Sequence, residues 1–454
     1  MAASPTGIVI SVVGCGYLGA VHAASMAALG HTVVGVDNDP ERSDALSAGK
    51  APFYEPGLED LLADGQATGR LRFSIDISDA AAATVHFLCV GTPQATGQHA
   101  ADLAYVESAV TDLLEVLKPG DVVVGKSTVP VGTAAEIATR IRAAVPGADL
   151  IWNPEFLREG FAIEDTLQPD RIVFGLEDGD GALRARRVLE EVYAPILAAG
   201  TPLIVTNYAT AELVKVAANA FLATKISFIN AMADLCDLVD GDVAQLADAL
   251  GHDQRIGRRF LNAGLGFGGG CLPKDIRAFM HRAGELGADQ TLTFLREVDT
   301  INLRRREQSV LSVQSMLDGQ VAGRRIGVLG ASFKPDSDDI RDSPALAVAE
   351  ALHLLGADVH VYDPRATVAA QRKSPQLRYR ESAYDAAAGA EVVLLLTEWR
   401  EFVDLDPDAL GEVVAHRRIF DGRNALDPER WSAAGWDYRC LGRPGAGRRV
   451  AARS

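Results

Sequence analysis

The sequence predicts an α/β protein in which two doubly wound halves, each built on a parallel sheet, are joined by a long central helix. Three observations predict it. Strand, glycine-rich turn, helix and strand follow one another between Ile8 and Asp37; the run from Asn207 to about Leu238 holds neither proline nor glycine; and the strand, loop, helix, strand order returns from Arg325. With 454 residues, the chain has room for about three globular units of roughly 150 residues.

Ile8 to Val13 is nearly all apolar and β-branched or small, as a parallel strand buried on both faces requires. Gly14-Cys-Gly16-Tyr-Leu-Gly19 follows, then an Ala-rich helical segment that Gly30 can close in the left-handed conformation, and Thr32 to Val36 reads as a strand ending at Asp37. Val85 to Val90 and Val122 to Gly125 read as further buried strands. The small-residue, proline-bearing loops after them belong at the carboxyl ends of the sheet, where open α/β folds bind ligands. Asn207 to Leu238 reads as one helix rich in Ala, Leu and Val, a connector and a dimerisation element; two shorter helices are the alternative. A polar segment around Arg304 to Arg306 precedes the second half, where Arg325 to Gly330 is a strand running into a loop. Ser343 then caps a helix with Pro344 at its first position, Gly356 closes it, and Val359 to Tyr362 is a strand ending at Asp363. The intervening loop, Ala331 to Asp342, lacks GxGxxG and carries Lys334 and Arg341, which suits a different anionic ligand. From Arg439 onward the chain has five Arg and no acid, the composition of a disordered basic tail.

Composition excludes several classes. The chain is 48% hydrophobic and 23% charged, so it can bury a core and is not globally disordered. Its net charge of −17 opposes nucleic acid and anionic membranes, and any anionic ligand needs local cations. The five cysteines form no CxxC pair and no zinc-finger spacing with His, so reduced thiols and no metal site are expected. A basic leader region is missing from the first residues, and Ile8 to Val13 is far shorter than the roughly 20 residues that span a bilayer. A soluble cytoplasmic protein with no nucleic-acid or membrane partner is the expectation.

Four motifs carry chemistry. The glycines of Gly14-x-Gly16-x-x-Gly19, between a strand and a helix, allow a diphosphate close to the backbone at the helix N-terminus, while Asp37 can accept from ribose hydroxyls. A carboxylate there favours NAD over NADP, an argument that nearby Arg42 softens. Gly264, Gly266, Gly268, Gly269 and Gly270 lead to Cys271, with Lys274 close by to favour a thiolate; the readings are a nucleophile or simply a tight turn. Lys215 and Asn219, four apart on the long helix, share a face and could donate to an oxyanion, or be a snorkelling lysine beside an unrelated amide. Asn153-Pro-Glu155-Phe-Leu-Arg-Glu159-Gly160 sets two acids four apart after a strand end, where capping explains them as well as catalysis does.

With Gly91-Thr-Pro93, Ser127-Thr-Val-Pro130-x-Gly132-Thr133, Phe333-Lys-Pro-Asp336 and Asp421-Gly-Arg423 added in order, the chain from Ile8 to about Arg439 resembles the UDP-glucose/GDP-mannose dehydrogenase family. The resemblance implies two Rossmann-like domains joined by a dimer-forming helix. Residues 1–206 would bind NAD, 207–315 would form the central segment with the thiol loop, 316–438 would bind the UDP moiety, and 439–454 would be the tail. It implies oxidation of a nucleotide-sugar C6 alcohol to the acid with two NAD and one water, through a Cys271 thiohemiacetal and thioester. Lys215 and Asn219 would stabilise oxyanions, and Asp275, Thr128 and Glu155 would manage water and protons. Gly14, Gly16, Gly19, Asp37, Arg42, Thr92, Thr128, Glu159, Lys274 and Arg341 would serve NAD. Glu155, Phe156, Leu157, Lys215, Asn219, Phe260, Phe267, Gly268, Phe333, Lys334 and Arg423 would serve the sugar nucleotide, with Arg255 entering from a second subunit. UDP-glucose is the expected substrate, GDP-mannose its nearest competitor, and a non-catalytic nucleotide-sugar sensor the reading from another class.

Overall fold

The computed structural model describes residues 7–443. They gather into two compact units: the first runs to Ala218 and takes in Arg277–Gly287, and the second comprises Asn219–Ile276 and the chain from Ala288.

In the first unit, β1 (Val9–Val13), β2 (Thr32–Val36), β3 (Leu71–Ser74), β4 (Val85–Leu88), β5 (Val122–Gly125), β6 (Asp149–Trp152), β7 (Ile172–Gly175) and β8 (Leu203–Thr206) form one sheet, in the order β3-β2-β1-β4-β5-β6-β7-β8. Every pairing is parallel except β6 with β7. Strand residues alternate between two cores. Val122 and Val124 pack with Val21 and Ala24 of the first helix, Tyr17–Ala28, while Val123 packs with Ile137 and Ile141 of the helix Thr133–Ala144. Helices on both faces explain why these strands read as continuous apolar runs. Strand order reverses between β1 and β4, so the carboxyl ends there form the crevice in which such sheets hold a ligand.

In the second unit, β9 (Arg325–Leu329), β10 (Asp358–Tyr362), β11 (Arg378–Tyr379), β12 (Val392–Leu395), β13 (Arg418–Asp421) and β14 (Asp437–Cys440) form a parallel sheet in the order β11-β10-β9-β12-β13-β14. Its reversal lies between β9 and β12, the same winding as in the first sheet. The helix Pro344–Leu354 begins as its sequence predicts: the Ser343 side chain accepts from Leu346 N–H, and proline holds the first helical position.

Asn207 to Leu238 does form one helix, Tyr208–Val239, that links the two units. Among the described helices it alone is long and apolar enough to cross a membrane. Its polar residues Glu212, Lys215, Asn219, Ser227 and Asn230 are nonetheless buried against protein, the pattern of a core helix. The polar segment Arg304 to Arg306 that precedes the second half is the interior of the helix Thr293–Met316, where buried Arg305 pairs with Asp234 and donates to Gly264 O at 3.1 Å. One sequence expectation is corrected. The tail does not start at Arg439: Arg439 and Cys440 belong to β14, Leu441 is buried, and Gly442 accepts from Val243 N–H at 2.8 Å. Alternating Tyr438 and Cys440 give that stretch a strand pattern which its arginines mask. Residues 444–454 lie outside those described.

Candidate functional site

The glycine turn is built for a diphosphate. Gly14 has φ +86°, and a Cβ there would stand 2.6 Å from Val90 Cγ1; one on Gly19 would stand 1.8 Å from Gly14 O. Both positions therefore demand glycine for close packing. Gly16 differs, since a Cβ there would meet nothing within 4 Å, so its face is open. The helix that starts at Tyr17 has no side-chain cap and no acid in its first turn, leaving its N-terminal N–H groups suited to an anion. Asp37, buried at the end of β2, accepts from Cys15 N–H at 2.7 Å, Asp39 N–H at 2.9 Å and Arg42 at 2.8 and 2.9 Å. Arg42 also pairs with Asp39 at 3.3 Å, so two carboxylates balance the cation that would otherwise attract a 2′-phosphate. These residues fit NAD better than NADP. Thr92 donates to Thr128 O at 2.7 Å, tying the loop after β4 to the loop after β5.

In the same unit, Glu155 accepts from Leu157 N–H at 2.7 Å and pairs with Lys215 at 2.8 Å, both side chains largely buried. Lys215 Nζ stands 5.7 Å from the centroid of the Phe156 ring, whose face also receives Arg171 at 3.8 Å. Glu159 is buried. Capping does not account for Glu155: its carboxylate serves the turn and the lysine, not a helix end.

The second unit holds the thiol. Cys271 is exposed and stands immediately before the helix Leu272–Glu285. Burial pushes the other four thiols up, Cys89 and Cys440 to about 12, so Cys271 is the chemically available one. Asn219 donates from Nδ2 to Asp275 Oδ2 at 2.6 Å, and Lys274 pairs with Asp275 Oδ1 at 2.6 Å. Lys274 is thus committed to Asp275. Asn219 and Lys215 sit one turn apart on the long helix, so each carries its own carboxylate partner.

The glycine loop is moulded against its surroundings. A Cβ on Gly268 would lie 2.3 Å from Asp342 O, one on Gly269 2.8 Å from the Phe333 ring, and one on Gly270 2.2 Å from the Arg341 guanidinium. Gly269 N–H donates to Arg341 O at 2.8 Å. Arg423 donates to Leu396 O at 2.7 Å, Phe333 O at 2.9 Å and Gly266 O at 3.2 Å, clamping the thiol loop to the loop after β9. Lys334 Nζ stands 5.6 Å from the Phe333 ring centroid, and Arg341 pairs with Asp339 at 2.7 Å. Here the following helix is capped by its own Ser343 and carries Pro344 at its first position, so an anion at this loop would rely on cations such as Lys334 rather than on a helix end. Phe260 adopts the left-handed φ of +65°, uncommon for an aromatic residue. Arg255 is exposed and pairs with Asp253 at 2.6 Å; within its unit it joins none of these groups.

Sequence reasoning missed several supports. Buried Glu55 accepts from Tyr17 O–H, Gly160 N–H at 2.6 Å and Ala162 N–H at 2.7 Å, linking the glycine turn to the Glu155 segment. Buried Glu212 accepts from Gly132 N–H at 2.8 Å and Ala134 N–H at 2.7 Å, capping a helix from a distance of some eighty residues; burial raises its carboxyl above the ordinary value. Asn302 receives Phe267 N–H at 2.7 Å and returns a bond to Phe267 O at 2.9 Å. The only available signal was polar residues inside apolar periods.

Comparison with known proteins adds independent findings. Profiles of the UDP-glucose/GDP-mannose dehydrogenase family match the chain in three parts: the NAD binding domain over residues 8–197, the central domain over 209–304 and the UDP binding domain over 327–428. The chain is similar to the UDP-glucose 6-dehydrogenase of Rhizobium meliloti, 43% identical over 438 residues that cover 96% of this chain and 99% of that one. It is similar also to UDP-glucose 6-dehydrogenase TuaD of Bacillus subtilis, 41% identical and covering 96% and 93% of the two chains. A solved UDP-glucose dehydrogenase from Pyrobaculum islandicum matches with a TM-score of 0.86 at 37% identity, covering 97% of this chain and 98% of that one.

Proposed function

Since this chain belongs to the UDP-glucose/GDP-mannose dehydrogenase family, we propose that it oxidises the C6 alcohol of UDP-glucose to the carboxylate, consuming two NAD and one water. The observation that carries this reading is the exposed Cys271, delivered by five glycines to the start of a helix, with Asn219 and Lys274 fixed on Asp275 nearby in sequence and fold. A simple alcohol dehydrogenase needs no such thiol.

NAD, when bound, accepts the hydride in each of the two oxidations. The first leaves an aldehyde at C6. Cys271 Sγ adds to that carbon, forming the C–S bond of a thiohemiacetal and retaining the aldehyde. Loss of the second hydride makes this a thioester; water then adds, the C–S bond breaks, and the thiolate returns. Lys215 and Asn219 are assigned the oxyanions, and Asp275, Thr128 and Glu155 the water and its protons. Glu159 is assigned a place near the nicotinamide. Residues 1–206 are assigned to NAD and 316–438 to UDP, with Phe260, Phe333, Lys334, Arg341 and Arg423 serving the nucleotides.

A homodimer is supported by the long helix, where Leu213, Phe221, Phe228 and Leu235 leave one apolar stripe at near-heptad spacing, Phe221 being 66% exposed. Arg255 is assigned to the second subunit's site, in keeping with its exposure. Five reduced thiols support a cytoplasmic setting. The test of substrate is NAD reduction by the pure protein with UDP-glucose, GDP-mannose, UDP-N-acetylglucosamine and UDP-N-acetylmannosamine. A preference for UDP-glucose of at least about tenfold in kcat/KM is expected; preference for another sugar overturns the substrate assignment.

A further inference from the structure

Lys126 follows β5 and opens the loop that reaches Thr133, yet its side chain turns inward and is buried. Its Nζ donates to Asn153 Oδ1 at 3.1 Å and to Tyr193 OH at 3.4 Å, and it stands 6.0 Å from the Phe87 ring centroid and 5.9 Å from that of Tyr193. Among the described residues no carboxylate forms an ion pair with it. An ammonium removed from water with only an amide, a phenol and two ring faces for company weakens a fold. For packing alone, a methionine of similar length would serve better.

The charges Lys126 feels belong to the proposed chemistry. Glu155 lies two residues beyond Asn153 and pairs with Lys215 at 2.8 Å; the carboxylate favours the Lys126 proton and the second ammonium opposes it. Asn153 is held on its other sides as well, donating to Val173 O at 2.9 Å and accepting from Tyr193 O–H at 2.8 Å. That amide therefore stays oriented when Lys126 is changed, which separates its charge from its contact.

Resting on the oxidation assigned above, we propose that Lys126 is a positioning residue: from beside Asn153, at the root of the Asn153–Gly160 segment, it supplies a buried positive charge that biases the Glu155–Lys215 pair through space. Burial brings this ammonium down to about 8. The groups facing it from neighbouring elements are Cys89, His22, Tyr193, Glu155 and Lys215. Burial pushes the Cys89 thiol up to about 12, raises the Tyr193 phenol and holds His22 well below its ordinary value, so these three remain neutral where Lys126 titrates.

The experiment compares wild type, K126M and K126R in kcat, in KM for UDP-glucose and NAD, and in Tm, from about pH 6.5 to 10. An inactive wild type overturns the oxidation itself; the remaining outcomes concern Lys126 alone. K126M is expected to melt at or above the wild-type temperature while kcat falls at least about tenfold near pH 7, and the deficit is expected to narrow above pH 8, where the wild-type lysine also sheds its charge. K126R, charged throughout, is expected to recover part of kcat and to gain on wild type above pH 8. A K126M kcat within about twofold of wild type, a deficit equal at every pH, or a lower Tm with unchanged kcat overturns the proposal. Where K126M fails to fold, a K126R pH profile parallel to wild type overturns it.

Discussion

Replacing Asn302 with leucine tests whether the thiol loop is held by two hydrogen bonds at one residue. Asn302 has no exposed surface; its Oδ1 takes Phe267 N–H at 2.7 Å and its Nδ2 gives to Phe267 O at 2.9 Å. Leucine fills similar volume but leaves that N–H and C=O buried without partners. Each orphaned backbone group costs about 1–3 kcal/mol, so the pair costs roughly 2–6 kcal/mol. Extra apolar burial returns about 1 kcal/mol, which leaves an expected loss of roughly 1–5 kcal/mol. That is a large fraction of a typical domain's stability. Urea unfolding reads the loss as a lower midpoint. The rate of Cys271 alkylation by iodoacetamide reads the local consequence, because Phe267 lies four residues before the thiol. Asn302→Ala, with room for water to replace the amide, is expected to cost less. A loss under about 0.5 kcal/mol with unchanged alkylation would refute the argument that these two bonds set the loop.

Cys271→Ala is expected to abolish acid product in an assay by mass spectrometry, because no other exposed thiol is available to hold the aldehyde. Asp37→Ser releases Arg42 from its bonds at 2.8 and 2.9 Å and is expected to shift the NAD-to-NADP ratio of kcat/KM toward NADP by about tenfold or more. Gly269→Ala must hold alanine at φ +83° with its Cβ 2.8 Å from the Phe333 ring; strain of about 1–2 kcal/mol plus ring displacement is expected to lower kcat about tenfold, measured as NADH formation. The pH dependence of stability follows from Lys126. Its folded value of about 8 lies below that of an unfolded lysine, so between about pH 8 and 10.4 the unfolded chain binds more protons and wild type gains stability as pH rises. The stability advantage of K126M over wild type, at most about 3 kcal/mol near pH 7, is expected to shrink across that window in urea titrations.

Much of the fold was legible because parallel strands buried on both faces are written as unbroken apolar runs: Thr32 to Val36 and Val122 to Gly125 coincide with β2 and β5. Ser343 with Pro344 announced a helix start that the structure keeps. Arg304 to Arg306 read only as a polar segment, and nothing local showed that Arg305 is buried against Asp234 and carbonyl oxygens from other segments. The same reason hid the site's supports. Glu55, Lys126, Glu212 and Asn302 bond to residues far away in sequence, and no local pattern records a partner that only folding brings near. The glycines around Cys271 were conspicuous, but their reason was not: a Cβ on Gly268, Gly269 or Gly270 would meet a carbonyl or side chain of the loop after β9, one on Gly266 would meet Asn302, and one on Gly264 the Gly422 carbonyl.

The stoichiometry of the complete reaction separates four-electron from two-electron chemistry. With purified protein, limiting UDP-glucose and excess NAD, absorbance at 340 nm and quantitation of the acid product should give two NADH and one UDP-glucuronate per UDP-glucose consumed. One NADH per sugar, with an aldehyde or ketone as the product, would contradict the four-electron account and the role it gives Cys271.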